Sequence, residues 1–248
     1  MCEMLETDNI IIVKDLVKKY GDFYANDHLT FNVRRGEIFG FLGANGAGKT
    51  TAIRILCGLS YPTSGEINVA GFDVYSQREL IKRNIGYMSQ KFSLYDDLTI
   101  TENIRFYAGI YGLSPKDIKI RTSELLLALG MEDIRNRLIR DIPLGWKQKL
   151  AFSVAVFHNP AVVFLDEPTG GVDPVTRRQF WEMINEAAGQ GITVFVTTHY
   201  MDEAEYCDRV SIMVDGKIAA LDTPKNLKNT YKTNDMNGVF LTLARGGN

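Results

Sequence analysis

Residues Gly43 to Thr50 read GANGAGKT, which places a lysine and a hydroxyl directly behind a run of small, flexible residues. The stretch fits the pattern G-x-x-x-x-G-K-[ST]. Glycines let the backbone curl until successive N–H groups point inward at phosphate oxygens. A helix leaving such a loop adds the positive end of its dipole. Lys49 then reaches the β- and γ-phosphates of a nucleoside triphosphate, and the Thr50 hydroxyl can ligate Mg²⁺. The candidate nucleotide-binding residues here are Gly43, Asn45, Gly46, Ala47, Gly48, Lys49, Thr50 and Thr51. A chance glycine-rich turn is the plain alternative, but an apolar strand enters the loop and a helical pattern leaves it. The motif does not say how the energy is used, because kinases, GTPases and motors share it.

A second constellation lies in AVVFLDEP, residues 161–168, where Asp166 and Glu167 end an apolar run. Ligands of open α/β sheets bind beyond the carboxyl ends of the strands. Asp166 is placed to hold Mg²⁺ through water, and Glu167 to polarise an attacking water as a general base. A charged pair that merely ends a strand is the alternative. The phosphate loop, however, already calls for a magnesium partner.

These groups need a scaffold. Strands are expected at 9–17, 28–33, 36–43, 65–71 and 85–90, with a turn at KKYGD after the first. From Thr101 to about Ala155 the pattern is helical, with LLLALG stopping on Gly130. Strands return at 161–167, 191–199, 210–214 and 217–222, with a helix from about Val175 to Ala188 between the first two. Asp173-Pro174 supplies that helix with a cap and a first-turn proline. Strand–helix–strand spacing implies right-handed crossovers and a mostly parallel sheet. Residues 232–248 give no local signal.

The chain has 248 residues, 45% of them hydrophobic, so it can bury a core. A net charge of −2 argues against a nucleic-acid binder. Three scattered cysteines argue against a disulfide framework and for a reducing compartment. No apolar run approaches the ~18 residues that cross a bilayer, and the acidic N-terminus lacks the features of a signal peptide. Work at a membrane would therefore need another chain.

Taken together, the motifs from about Ile10 to Lys228 resemble the nucleotide-binding subunit of an ABC transporter. GANGAGKTT resembles the family's Walker A loop and VVFLDE its Walker B strand. Tyr20 matches the aromatic that stacks on adenine, and Gln90 the glutamine that touches magnesium and relays to the membrane domain. Asp173 in GVDP matches the loop that crosses the dimer interface, and His199 the switch histidine at the γ-phosphate. Each has an ordinary alternative: a turn aromatic for Tyr20, a strand-end polar group for Gln90, a core histidine for His199.

The resemblance implies an α/β fold. Its P-loop NTPase (RecA-like) core has a mostly parallel sheet, an N-terminal antiparallel β subdomain and an inserted helical subdomain. Core and β subdomain would take roughly 8–90 and 160–230, the helical subdomain 91–159, and a C-terminal tail 231–248. It further implies ATP and Mg²⁺ as ligands and ATP hydrolysis with Lys49, Glu167 and His199 as catalytic groups. Thr50, Gln90 and Asp166 would serve the metal. A transmembrane permease and a second ATP-binding subunit would be partners, at the cytoplasmic face of the membrane. PTGGVDP and THYMDEAE are similar to ABC-2-type exporters. Phe92, Tyr95, Phe106, Tyr107 and Tyr111 are candidates for the groove that receives the permease, with core packing as the alternative. A nucleotide-gated dimerising module with little turnover is the competing function. A DNA-repair or ribosome-associated ATPase fits poorly, as the sequence shows no long heptads, second cassette or basic stripe.

One segment departs from the family. Where it usually reads LSGGQ, this chain has Pro143, Leu144, Gly145 and Trp146. In the family that signature caps ATP held by the opposite subunit. Proline removes a hydroxyl and an N–H, although it suits the first turn of a helix. Leu144 and Gly145 keep their N–H groups, and the helix dipole remains. Each lost hydrogen bond to a charged group is worth about 1.5–3 kcal/mol. Two assemblies stay open: a homodimer, the simpler arrangement, or a heterodimer with a subunit that carries an intact signature.

Overall fold

The computed structural model describes residues 8–90 and 94–245. The chain opens with a long hairpin, β1 (Asn9–Tyr20) and β2 (Phe23–Arg34). Both strands run further than the sequence pattern suggests. KKY does not turn but pairs onward, Lys19 with Tyr24 and Tyr20 with Phe23. Register shifts interrupt the ladder, and Asp15 and His28 there have positive φ. Such bulges break strict alternation, which hides the extension of both strands from a period-two reading. β3 (Ile38–Gly43) is buried throughout and leads through the glycine loop into α1 (Lys49–Leu56). β4 (Ser64–Val69) and β5 (Phe72–Asp73) complete an antiparallel sheet in the order β2-β1-β4-β5.

After α2 (Arg78–Asn84) and β6 (Ile85–Met88) come three helices: α3 (Ile100–Ile110), α4 (Pro115–Leu129) and α5 (Leu144–Val156). Their ends are written locally. Thr99 and Glu102 form a reciprocal capping box at the start of α3. Ser114 caps α4, and Gly130, in the left-handed conformation, stops it. The chain returns through β7 (Val162–Asp166), α6 (Pro174–Gly189), β8 (Thr193–Thr198), β9 (Arg209–Val214) and β10 (Lys217–Asp222). The second sheet has the order β10-β9-β3-β8-β7-β6. Its neighbours from β9 to β6 are parallel, and β10 closes the edge antiparallel to β9.

Phe31 of the first sheet meets Phe39, Phe41 and Phe195 of the second, with ring centroids 5.5–6.2 Å apart. Each fully buried aromatic contributes about 1.5–3 kcal/mol, so this seam locks the two sheets together. Its rings stand on the strands that flank the glycine loop, which fixes the loop's position. Past α7 (Pro224–Thr230), residues 236–245 form α8 (Met236–Arg245). It buries Met236 and Val239 and packs on the turn at Met201–Tyr206, just beyond His199. The sequence was silent there because a short helix with a glycine inside has weak intrinsic preference. Cys57 and Cys207 are buried free thiols; Cys2 lies outside the described residues.

Candidate functional site

β3 and β7 run parallel with β8 between them, so their carboxyl ends open on the same edge of the sheet. The glycine loop leaves β3 at that edge, and Asp166 and Glu167 end β7 beside it. Gly48 takes φ 98°, and a Cβ there would run into the carbonyl oxygen of Ala25. Only glycine permits this closeness, which lets the buried Asn26 amide donate to the Gly48 carbonyl at 3.1 Å.

Lys49 is buried. Its ammonium donates to the Gly43 and Ala44 carbonyls at 2.8 and 3.0 Å and stands 3.3 Å from Glu167 Oε1. The other Glu167 oxygen accepts from Gln90 Nε2 at 3.1 Å and lies 3.1 Å from His199 Nδ1. One carboxylate therefore gathers Lys49, Gln90 and His199, which the sequence separates by up to 150 residues (199 − 49). Asp166 accepts from Thr197 Oγ1 at 2.8 Å and from Thr50 Oγ1 at 3.2 Å.

Burial pushes the Lys49 ammonium below its ordinary pKa, against the pull of Glu167. Burial also raises the Asp166 carboxyl above the usual carboxylate range, although the two threonine hydroxyls work the other way. Both shifts disfavour the charged forms. Phosphate and a divalent cation would stabilise those same forms.

Tyr20 and Phe23 flank the open side, on the turn of the first hairpin. They border a 350 Å³ cleft together with Asn45, Gly46, Lys49 and Thr51. Phe23, Asn26 and Thr197 were missed in the sequence. Thr197 had one signal, its place two residues before His199, but its pairing opposite Asp166 depends on strand register.

Pro143 does not lie inside the first turn of α5, the position that proline suits. It stands one residue earlier, at the cap, with ψ 153° and no side-chain hydrogen bond. Its carbonyl accepts from Trp146 and Lys147 N–H, at 3.0 and 3.1 Å. Leu144 and Trp146 project outward, 42% and 36% exposed. A Cβ on Gly145 would come within 2.9 Å of Thr176 Cγ2. Thr176 is itself tied to Asp173, the cap of α6, through its hydroxyl at 2.6 Å. The signature turn and the Asp173 loop thus form one surface.

Among the groove candidates, Tyr107 and Tyr111 line a 260 Å³ apolar cavity with Leu94, Ile110 and Met88. Tyr111 stacks on His158 at 3.5 Å. Tyr95 and Phe106 pair edge to face at 4.9 Å on the surface, and Phe92 lies outside the described residues.

A profile of the ABC transporter family matches residues 26–170. The chain belongs to the ABC transporter family. It is that family's nucleotide-binding unit, the ATP-binding cassette. YbhF of Escherichia coli (strain K12), a probable multidrug ABC transporter ATP-binding protein, is 49% identical over 221 residues. That alignment covers 89% of this chain and 38% of YbhF, so the chain spans well under half of its relative. A solved ATP-binding subunit of an ABC transporter superposes with a TM-score of 0.85 at 29% identity, covering 94% of this cassette and 99% of that one. The dimeric cassette MJ0796, bound to ADP and Pi in a post-hydrolysis state, superposes at 0.78 and 26% identity, covering 86% and 98%. Among the described residues of this cassette, no helix is long and apolar enough to cross a membrane.

Proposed function

We propose that this cassette hydrolyses MgATP as one half of a two-cassette assembly and thereby powers a separate transmembrane permease, in the direction of export. The observation that carries this reading is the convergence of Lys49, Gln90 and His199 on Glu167 at the rim of the glycine loop. Tyr20 supports adenine from the side of the cleft, and the loop N–H groups with Lys49 hold the phosphates. Glu167 orients water for in-line attack on the γ-phosphorus and takes its proton. Lys49 and His199 balance the charge that grows on the transferring oxygens.

Thr50, Gln90 and Asp166 offer hard oxygen donors. That suits Mg²⁺, which takes one or two protein ligands and completes its shell with water and substrate phosphates. When bound, the ion neutralises charge on the β- and γ-phosphates.

Closure of two cassettes over ATP, and reopening after hydrolysis, supplies the stroke. The printed name of YbhF and the dimeric MJ0796 support this assembly. The apolar cavity lined by Tyr107 and Tyr111 supports the reading of a seat for the permease there, with the cassette at the cytoplasmic face of the membrane. The test is Mg²⁺-dependent phosphate release by the purified chain, with equilibrium MgATP binding in parallel. Tight binding without turnover would favour the slow switch instead.

Of the two assemblies the homodimer is the simpler, and the altered signature is the feature that tests it. Pro143 contributes no hydroxyl and no N–H, and Leu144 and Trp146 present apolar surface where phosphate donors are usual. Restoring them with Pro143→Ser, Leu144→Gly is expected to raise MgATP-induced self-association about ten-fold or more, one or two charge-assisted hydrogen bonds' worth. Light scattering with MgATP present checks it. Equal association by both proteins would mean that Leu144 and Trp146 already serve a homodimer.

A further inference from the structure

Glu167 has an unusual backbone. Its φ is 50°, the left-handed region that a residue with a side chain rarely enters. Such a conformation costs about 1–3 kcal/mol and persists only where the surroundings over-determine it. Two grips hold it. On the amino side, its N–H lies 3.1 Å from both the carbonyl and the hydroxyl oxygen of Thr197. On the carboxyl side, the next carbonyl, Pro168 O, accepts a 2.8 Å hydrogen bond from Gln148 Nε2. Gly170 N–H closes the turn onto the Glu167 carbonyl at 3.2 Å.

Gln148 belongs to α5, one turn beyond the signature, and is only 1% exposed. A buried amide in a helix that points at another segment's backbone is expensive unless its bond matters to the arrangement. The Gln148 side chain also borders a 160 Å³ cavity shared with Gln90, Glu167 and Gly170. Its Oε1 has no protein partner among the described residues. The amide thus shares a cavity with the Glu167 side chain, while its own hydrogen bond goes to the Pro168 carbonyl.

We propose that Gln148 is a positioning residue for Glu167, holding its strained backbone by the bond to Pro168 so that the carboxylate faces the γ-phosphate. This rests on the hydrolytic reading above. The residue is in cis, on the same helix that presents the signature turn to the opposite subunit. A shift of α5 on closure therefore moves the anchor of the chain's own catalytic carboxylate.

Two variants test it in the full chain. Gln148→Met keeps length and apolar volume but cannot donate. Its turnover at saturating MgATP is expected to fall about ten-fold or more, while the Kd for MgATP stays within about two-fold, because the loop N–H groups and Lys49 are untouched. Gln148→Glu is nearly isosteric, and its new carboxyl donates to Pro168 O only when protonated, a form that burial favours. The ratio of its turnover to wild type is expected to rise as pH falls from about 8 to about 6, while the Gln148→Met ratio stays flat.

Hydrogen exchange in the nucleotide-free chain gives a readout without turnover: the Gly170 amide is expected to exchange faster in Gln148→Met. Unchanged turnover, an equal loss of binding and turnover, the same flat pH ratio in both variants, or unchanged Gly170 exchange would each overturn the assignment. A wild-type chain that binds MgATP but never turns it over overturns the hydrolytic reading instead, and the exchange result then decides the positioning role alone.

Discussion

Glu167→Gln is expected to lower steady-state ATP turnover by two to three orders of magnitude, on the scale of a lost general base, while MgATP still binds. The amide keeps the shape of the carboxylate but cannot accept a proton from water. The surrounding contacts explain why binding survives. Lys49 retains its bonds to the Gly43 and Ala44 carbonyls, which hold the ammonium against the glycine loop without Glu167. Thr50 and Asp166 remain joined through the Thr50 hydroxyl, and Thr197 still supports Asp166. Removing a negative charge 3.3 Å from Lys49 also relieves competition for the ammonium, so affinity should hold or improve. Phosphate release measures the first effect and equilibrium binding the second. The same variant should accumulate an MgATP-dependent dimer, visible as a doubled mass in solution. Turnover within ten-fold of wild type would remove Glu167 from the role of base.

Gly48→Ala is expected to cost both binding and stability, and its neighbour supplies the control. At Gly48 two penalties coincide: φ is 98°, and the new methyl meets the Ala25 carbonyl oxygen and the Asn26 amide. The Ala25 carbonyl belongs to β2, at a buried position flanked by Tyr24 and Asn26, both paired with β1, so it cannot move aside cheaply. The loop must swing out, which breaks the 3.1 Å bond from Asn26 to the Gly48 carbonyl and misaims the start of α1. MgATP affinity should fall about a hundred-fold or more, and stability by about 2–4 kcal/mol, within the range of large single-site effects. Gly46→Ala has a positive φ of 82° but open space around the new methyl. Backbone strain alone applies there, about 1 kcal/mol. Calorimetry and titration of both variants separate strain from collision. Equal losses in the two would show that the Ala25 contact does not matter.

The candidate groups of this cassette are written locally, and so are legible. The glycine loop and its lysine lie within eight consecutive residues, the acidic pair lies within one strand, and Asp173 caps the helix that starts beside it. The stop of α4 at Gly130 is local in the same way, a glycine free to enter the left-handed conformation, and so are the Thr99 and Ser114 caps, which the sequence reading did not pick out. Local motifs are readable because their geometry needs only the backbone of one segment.

Bringing Lys49, Gln90 and His199 onto one carboxylate needed the parallel order of β3, β8, β7 and β6. Their register, Asp166 opposite Thr197, is fixed by packing across the whole sheet. The far end of the first hairpin, 18–27, escaped because its bulges broke the alternation, and α8 because tertiary burial of Met236 and Val239 outweighs its weak propensity. Asn26 and Gln148 are ordinary polar residues in the sequence with no spacing to mark them, and Thr197 has only its place two residues before His199. Each gains its role from one hydrogen bond to a distant backbone or carboxylate: Thr197 to Asp166, Asn26 to Gly48, and Gln148 to Pro168. The sequence by itself determined which groups are present and which local shapes hold them. The tertiary structure decided which residues keep Glu167 and the phosphate loop in strained positions, because only long-range contacts can hold a backbone where its own preferences would not put it.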